Sequence, residues 1–281
     1  MTVKSDASLR GRARALAEEY GLSAQEVVQR YFFEHLLMSL AVSRYRRKFI
    51  LKGGLLLSSM LGVAQRTTMD MDATVRSMSL DDATLSAALR EICSIEVDDG
   101  IAYELGRIES IREGDDYGGL RAHVSAVYGR MRTPLKVDVT TGDAITPGEV
   151  EYSFPTLFGD GTVDIMAYPL ETLVAEKYEA IVKRGAATTR ARDLYDIATL
   201  FRLYAERIDW GTLRNAVRRT ADRRGSLPLM ADYARISEEI GQSDEIGRIW
   251  GAYVRLNPYA ADVTVPDAMD SVRAIGDRLA L

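Results

Sequence analysis

The sequence predicts an α+β fold in which a mixed β-sheet core follows N-terminal helices and precedes a helical C-terminal domain. Three observations predict it. Apolar residues recur at three-to-four spacing up to about residue 42, short apolar runs bounded by glycine fill the middle of the chain, and helical periodicity returns near residue 170. The predicted domains are a helical segment packed on the core at 1–48, the sheet core at 49–168 and the helical domain at 169–281.

Two helices are predicted in the first segment. The first begins near Ser8, and Gly21 is a residue of the kind that ends helices. The second begins at once, because Ser23 and Glu26 have the spacing of a capping box. It continues as an apolar segment to the basic run "RYRRK" at 44–48.

The core reads as short strands with a helix among them. A strand is expected at 49–52 and a second one at "TMDMDATV", followed by a helix within 81–96 that Asp81 or Asp82 caps. Further strands are predicted at 101–113, 118–129 and 134–142, and the last two are joined in hairpin style by "RMRT" at 130–133. From Leu170 to Leu281 the pattern is helical, with glycine- and proline-marked turns.

Composition limits the function classes. The chain has 281 residues, of which 47% are hydrophobic and 27% charged, as in soluble globular proteins. No apolar run reaches the roughly 18 residues of a membrane span, and the N-terminus lacks a signal-peptide core, so a cytoplasmic location is expected. One cysteine excludes an internal disulfide, and two histidines leave little for a soft metal. Any metal is therefore expected to have oxygen ligands, which favours Mg²⁺ or Mn²⁺.

The net charge of -5 is unevenly distributed. Residues 1–60 carry ten basic and five acidic side chains, about +5, whereas residues 81–116 carry eleven acidic and three basic ones, about -8. Basic residues cluster at 44–48, 183–192 and 214–224. These clusters are either ordinary solvated helix faces or a surface that attracts phosphate groups.

The motif "TMDMDATV" places two carboxylates on one face of a strand. With a side-chain period of two, Asp70 and Asp72 point the same way, about 7 Å apart at Cα. Such a pair can close on one or two divalent cations, which removes the mutual repulsion of the carboxylates. The alternative is an edge strand with ordinary solvated acids.

A second strand, "PLKVDVTTGD", carries Asp138 on its polar face. If it neighbours the first strand, Asp138 joins Asp70 and Asp72 in a magnesium site of the kind used for phosphoryl chemistry. Upstream, "ILKGGLL" combines a strand, Gly53–Gly54 and a helix, so that backbone N–H groups can approach phosphates at a helix N-terminus. It is not a Walker A loop, and a glycine pair is also common in plain tight turns.

The helical half contains a lysine on an apolar stripe. Lys177 interrupts the face formed by its neighbours in "YPLETLVAEKYEAIVKRG", and Asp193 and Asp196 share a face of the next helix. Lysine and acid on facing helices form either an interior salt bridge or part of a site. In a site, Lys177 neutralises a β- or γ-phosphate, and Asp196 positions the lysine or accepts a proton from an attacking hydroxyl.

Four motifs in this order, "LKGG" with "RTTMDMDATV", "KVDVTTGD", "ETLVAEKYEAIVKRG" and "RARDLYDIATL", resemble the AbiEii/AbiGii-type nucleotidyltransferase toxins, including the MenT group. The resemblance covers about 49–201. It implies a nucleotidyltransferase fold, dependence on Mg²⁺ with Mn²⁺ as an alternative, and transfer from an NTP to RNA, for characterised relatives the 3′ end of tRNA. It also implies a cognate antitoxin protein.

The resemblance implies roles for individual residues. The implied catalytic residues are Asp70, Asp72, Lys177 and Asp196; the implied metal ligands are Asp70, Asp72 and Asp138; the implied nucleotide-binding residues are Lys52, Gly53, Gly54, Arg66, Asp138 and Asp193. One departure is Leu55, which follows Gly54 where the family often has serine or threonine. A hydroxyl role at that position is absent or passes to Ser58 or Ser59.

Two other functions stay open from the sequence. One is nucleotidyl transfer to a protein or a small molecule by the same metal site. The other is a non-catalytic nucleotide-binding regulator, against which the intact set of acidic residues and Lys177 argues. Glycosyl transfer by a DxD enzyme is disfavoured because no long nucleotide-sugar Rossmann half is recognisable.

Overall fold

A computed structural model describes residues 3–97, 100–111, 118–159 and 161–280. The chain divides into two compact units. The first comprises residues 1–143 and 149–167, and the second comprises residues 144–148 and 168–281. Several acids of the predicted negative stretch, and the end of the predicted strand at 101–113, lie outside the described residues. These acids are Asp98, Asp99, Glu113, Asp115 and Asp116.

The first unit combines helices with a β-sheet. Its helices are α1 (Asp6–Tyr20), α2 (Ala24–Val42), α3 (Gly53–Leu61) and α4 (Asp82–Cys93). Its strands are β1 (Phe49–Lys52), β2 (Asp70–Val75), β3 (Ala102–Ile111), β4 (Gly119–Tyr128), β5 (Met131–Thr141), β6 (Val150–Pro155) and β7 (Thr162–Ala167). In the part of the chain that is described, these strands form one seven-stranded sheet in the order β3-β4-β5-β2-β1-β7-β6.

The sheet is mixed, as the sequence predicts. Strand β2 runs parallel to β5 and antiparallel to β1, while β1 runs parallel to β7. The remaining neighbours, β3 with β4, β4 with β5 and β6 with β7, are antiparallel. The two acidic strands β2 and β5 are therefore direct neighbours near the centre of the sheet, which confirms the condition on which the predicted acidic cluster depends.

The capping signals before residue 48 form as predicted. Gly21 ends α1 with a left-handed backbone, φ +67°. The Ser23 hydroxyl accepts the Glu26 N–H and the Glu26 carboxylate accepts the Ser23 N–H, which completes a capping box at α2. Helix α2 is buried over most of its length, with Phe32 and Phe33 fully inaccessible. It thus fills the core of the first unit and is more than a peripheral segment.

The β4–β5 hairpin is tighter than predicted. The sequence indicates a connection at 130–133, but Tyr128 pairs with Met131, so that Gly129 and Arg130 alone form the turn. Gly129 has φ +56°, which suits a two-residue hairpin loop. The alternating burial of β5 continues to Met131 because the strand partner β4 extends that far.

The second unit is helical. Its α-helices are α5 (Leu170–Arg184), α6 (Ala191–Tyr204), α7 (Trp210–Arg223), α8 (Tyr233–Gly241), α9 (Asp244–Leu256) and α10 (Val265–Leu279). Helix α5 packs on α6 and α7, and α10 packs on α6 and α8. Four short 3₁₀ turns occur among the described residues of this unit, at Gly185–Ala187, Ala205–Arg207, Leu227–Asp232 and Pro258–Ala260.

A five-residue excursion of the chain, residues 144–148, is built into the second unit. The Thr146 N–H donates to the Thr172 hydroxyl at 3.0 Å, and that hydroxyl donates to the Thr146 carbonyl at 3.1 Å. Arg219 donates to the Thr146 hydroxyl at 3.3 Å, and Ile145 is 1% exposed. The segment is therefore an integral part of the helical unit. Within the described ranges, no helix has the length and apolarity needed to cross a membrane.

Candidate active site

The acidic strand β2 carries Asp70 and Asp72 in the middle of the sheet. Asp72 lies opposite Lys52 on β1 and opposite Asp138 on β5. Asp70 lies opposite Lys136 on β5. Because residues directly opposite each other share a face of the sheet, Lys52, Asp72 and Asp138 form a row across three strands. The predicted alternation thus places two carboxylates on one face, and the register adds a third beside them.

The glycine pair brings the start of α3 against Asp72. Gly53 has φ +62°, and a Cβ atom there would overlap the Asp72 carboxylate. A Cβ atom at Gly54 would come within 2.7 Å of the Thr68 hydroxyl oxygen. The Gly54 N–H donates to Oδ2 of Asp72 at 3.3 Å. Both glycines are therefore required by close approach, and the carboxylate lies at the positive N-terminal end of α3.

Burial governs the ionisation of Asp72. Burial raises the pKa of the Asp72 carboxyl, and the nearby carboxylates of Asp138 and Asp70 add to the rise. The Lys52 ammonium and the Gly54 N–H act in the opposite direction and lower that pKa. A group of acids in this state favours a bound cation, because the cation relieves both the like-charge repulsion and the loss of hydration.

Asp138 is held by an arginine that the sequence did not single out. Arg121 on β4 lies opposite Asp138, and its Nε and Nη2 donate to the two carboxylate oxygens at 2.7 and 2.6 Å. The arrangement is a bidentate pair, the strongest geometry for such a contact. Among the described residues, no three acidic, histidine or cysteine side chains form a metal-binding group.

The residues fit a magnesium ion held by two carboxylates. Mg²⁺ is commonly bound through one or two protein carboxylates together with substrate phosphates. Asp70 and Asp72 supply that number of ligands, and the buried Asp72 carboxylate gains from a cation. Asp138, the predicted third ligand, has both oxygens engaged by Arg121. Each oxygen keeps a further lone pair, so the metal role of Asp138 stays a prediction that is compatible with the ion pair.

The row ends at an anchored lysine. Lys52 Nζ donates to Oδ2 of Asp143 at 2.6 Å and to the Thr140 hydroxyl at 2.8 Å. That hydroxyl donates to the same Asp143 oxygen at 2.8 Å.

Arg66, another predicted nucleotide contact, is 1% exposed and donates to the carbonyl of Thr67. Arg66 is thus an interior residue beside the glycine turn, and its nucleotide role is untested.

In the second unit, the predicted lysine and its two acids are brought together. Lys177 Nζ on α5 lies 2.6 Å from Asp193 Oδ1 and 2.7 Å from Asp196 Oδ2 on α6. The Asp196 side chain is inaccessible, while the Lys177 side chain keeps 17% of its surface exposed. Two acids one helical turn apart thus hold one ammonium group that still reaches solvent. The geometry fits both an interior ion pair and a fixed phosphate-contacting lysine.

The basic run at 44–48 is partly neutralised within the first unit, by two acids for its four cationic side chains. Arg44 pairs with Glu91 at 2.6 Å, and Arg46 and Arg47 both approach Glu151 at 3.5 Å. The net positive charge of this run is therefore smaller than the sequence alone indicates.

The run at 183–192, in the second unit, differs along its length. Lys183 donates to the backbone carbonyl of Arg224, and Arg184 donates to the backbone carbonyl of Ala180, so both cations are engaged within the protein. Arg190 and Arg192 are exposed. These two arginines are the better candidates within the run for contact with a phosphate backbone.

Sequence reasoning missed Arg121 and Asp143, and it gave Thr140 no role. Strand alternation does place Thr140, two residues after Asp138, on the same polar face. Arg121 could be found only by knowing the β4–β5 register, and Asp143 lies beyond the end of β5, where no period applies. Thr140 and Asp143 both reach Lys52, about ninety residues earlier in the chain.

Solved structures from Helicobacter pylori share this fold. A candidate nucleotidyltransferase from H. pylori is similar at a TM-score of 0.55 and 18% identity, covering 92% of this chain and 98% of that one. JHP933 from H. pylori is similar at a TM-score of 0.54 and 17% identity, covering 92% and 93% of the two chains. At this identity the likeness establishes the fold. A search of curated protein sequences finds no match.

The family assignment comes from the sequence. The family model described as "Nucleotidyl transferase AbiEii toxin, Type IV TA system" matches residues 35–267. The match includes both acidic strands, the glycine turn and the helices that carry Lys177 and Asp196. The chain therefore belongs to the AbiEii family of nucleotidyl transferase toxins of Type IV toxin–antitoxin systems.

Proposed function

We propose that this protein transfers nucleotides from an NTP to an RNA acceptor, the 3′ end of tRNA, and thereby blocks translation and growth. The observation that carries the proposal is the carboxylate pair Asp70 and Asp72 against the Gly53–Gly54 turn, in a chain of the AbiEii family. A half-buried acidic pair beside a helix N-terminus suits an anionic triphosphate only when cations balance the charge. Magnesium-dependent nucleotidyl transfer meets that requirement.

In the proposed reaction, the 3′-hydroxyl of the RNA attacks the α-phosphorus of the NTP. A phosphodiester bond forms, the bond to the β-phosphate breaks, pyrophosphate leaves, and the hydroxyl proton passes to a base. Asp70 and Asp72 would hold Mg²⁺ or Mn²⁺, which supplies charge neutralisation at the phosphates and lowers the pKa of the attacking hydroxyl. Asp138 would join them as a third carboxylate, with Arg121 fixing its orientation.

Residues of the chain position the substrate in this proposal. Gly53 and Gly54 let the start of α3 approach phosphate oxygens, and Lys52 supplies a fixed positive charge in the same row. Lys177 is proposed to neutralise charge on the β- or γ-phosphate. Asp193 and Asp196 hold its ammonium group, and the inaccessible Asp196 acts as a positioning residue.

The proposal includes partners and a location. Type IV toxin–antitoxin membership implies an antitoxin partner. We propose that it is a cognate protein that neutralises this chain, and that both act in the cytoplasm, where tRNA and NTPs are present. Exposed Arg190 and Arg192 are proposed to contact the RNA backbone, which attracts cationic side chains without regard to sequence.

The test is transfer of radiolabel. Purified protein is incubated with Mg²⁺, total tRNA and each α-³²P-labelled NTP in turn, beside Asp72→Asn and the control Asp164→Asn, which removes an equal charge from an exposed strand position. Label on tRNA that Asp72→Asn abolishes and Asp164→Asn preserves supports the proposal and names the base. Label on protein, or on a small molecule, would instead identify that molecule as the acceptor. No label in any fraction favours a nucleotide-binding regulator.

A further inference from the structure

The anchored lysine at the end of the acidic row has an unusual environment. Lysine side chains are usually flexible and exposed. Here only 13% of the Lys52 side chain is exposed, and two hydrogen bonds fix its ammonium group. Asp143 is equally enclosed, at 12% exposure. The Thr140 hydroxyl closes the triangle, accepting from Lys52 and donating to Asp143. Such an arrangement removes most of the rotational freedom of the lysine.

The triangle fixes where the positive charge lies. The Lys52 side chain starts on β1, and its ammonium reaches the hydroxyl of Thr140 on β5, two strands away. Neighbouring strands are about 4.8 Å apart, so the side chain crosses over β2. Strand β2 carries Asp72 opposite Lys52. The ammonium is thus held over the strand of the carboxylate pair, where an unanchored lysine would extend into solvent.

We propose that Asp143 is a positioning residue for nucleotide binding: together with Thr140 it holds the Lys52 ammonium in place to meet the triphosphate of an NTP. This inference rests on the proposed function for its substrate class. Asp143 does not touch the substrate in it. Its contribution is preorganisation, because a lysine fixed before binding loses less freedom when the triphosphate arrives.

The proposal predicts that removal of the Asp143 charge changes NTP affinity in the direction opposite to that expected from charge repulsion alone. An acid near a triphosphate site repels the ligand, so its removal as a bystander tightens NTP binding. A positioning acid has the reverse effect, because its removal frees Lys52. The sign of the change therefore separates the two roles without reference to transfer activity.

The experiment measures the affinity for α,β-methylene NTPs by calorimetry, with Mg²⁺ and without RNA. Asp143→Asn leaves an amide oxygen that holds the Lys52 ammonium less firmly than a carboxylate does, so NTP binding is expected to weaken several-fold. Asp164→Asn, the control for lost negative charge, is expected to leave the affinity unchanged. Thr140→Ser should bind like the wild type, and Thr140→Val should bind several-fold more weakly.

A double-mutant cycle tests the route through Lys52. In a Lys52→Met background, Asp143→Asn is expected not to weaken binding any further, because the route through Lys52 is then absent. That double variant also removes both members of the buried ion pair, so folding is retained where the single change leaves a charge uncompensated. Equal or tighter binding by Asp143→Asn, or an undiminished effect of it in Lys52→Met, would overturn the proposal.

The outcome is separable from that of the transfer assay. A wild-type protein that binds an NTP and labels no RNA leaves the positioning role intact while refuting the RNA acceptor. A wild-type protein that binds none of the four analogues overturns the positioning role directly, because Lys52 would then have no triphosphate to meet.

Discussion

The backbone N–H of Gly54 donates to the carboxylate of Asp72 at 3.3 Å, so the glycine turn and the acidic strand meet at one oxygen atom. Asp72 leaves no room for a side chain at Gly53, and Thr68, just before β2, leaves none at Gly54. The contact makes the start of α3 and the strand β2 interdependent. Changes to either are expected to disturb the same carboxylate.

Gly53→Ala is expected to reduce both stability and nucleotidyl transfer. The added methyl group overlaps the Asp72 carboxylate, and the backbone has a φ of +62°, which L-residues other than glycine adopt at a cost of about 1 kcal/mol or more. Thermal unfolding and RNA labelling measure the two effects. Gly11→Ala in α1 is the control, since a Cβ there meets nothing within 4 Å and alanine favours the helix. Equal behaviour of the two variants would contradict the steric argument.

Asp72→Asn is expected to stabilise the metal-free protein at neutral pH. The folded-state pKa of Asp72 is raised above its unfolded value, so the folded protein binds more protons between the two values. Stability conferred by this group is therefore present at low pH and lost as the pH rises through the raised pKa. Melting temperatures without metal should coincide for wild type and variant below the ordinary aspartate pKa and diverge above it. A difference in melting temperature that narrows with rising pH would show that the pKa of Asp72 is not raised on folding.

Lys177→Met is expected to destabilise the protein by about 3 to 5 kcal/mol, because the inaccessible Asp196 carboxylate loses its counter-ion. Urea denaturation measures this change. The double variant Lys177→Met, Asp196→Asn should recover much of that stability and still fail to transfer nucleotide. Transfer by the folded double variant would show that the pair is structural only.

Arg121→Leu and Asp138→Asn are expected to be non-additive in their effects on stability. The bidentate pair is partly exposed, 30% for Arg121 and 15% for Asp138, so a coupling of about 1 kcal/mol is expected. Chemical denaturation of both single variants and of the double variant gives that value. Additive effects would show that the two side chains do not depend on each other in solution.

Replacing Arg190 and Arg192 by alanine is expected to weaken tRNA binding and reduce its dependence on salt. If each arginine neutralises one phosphate, the slope of log K against log salt concentration should become shallower by about 1.4 for contacts to a single-stranded end and about 1.8 for contacts to a helical arm. Fluorescence anisotropy over a salt series provides the slope. Arg248→Ala with Arg273→Ala is the control, because both arginines pair with acids of their own helices. The same slope in both double variants would show that Arg190 and Arg192 do not contact the RNA backbone.

Local periodicity predicted what depends on local structure. The alternation around Asp70 and Asp72 placed both carboxylates on one face, and the spacing of Ser23 and Glu26 predicted a capping box that forms. The stripe on which Lys177 lies predicted a polar partner on the next helix, and that partner is present.

Contacts set by sheet register escaped prediction. Arg121 and Asp138 meet because β4 pairs with β5 in one particular alignment, which hydrogen bonds between distant segments decide. Asp143 reaches Lys52 from a connection that follows the last residue of β5. The sequence indicated that the basic run at 44–48 could attract phosphate groups. Its acidic partners, Glu91 and Glu151, lie far along the chain, so local sequence could not reveal them.

The interleaving of the two units limits how this protein can be recombined with its relatives. Residues 144–148 belong to the helical unit, whereas residues 149–167 return to the sheet. A chimera joined at residue 168 would separate Thr172 from both of its Thr146 bonds unless the donor supplied an equivalent segment. Functional exchange of the helical half therefore requires two grafts, the five-residue excursion and the C-terminal helices, taken from the same parent.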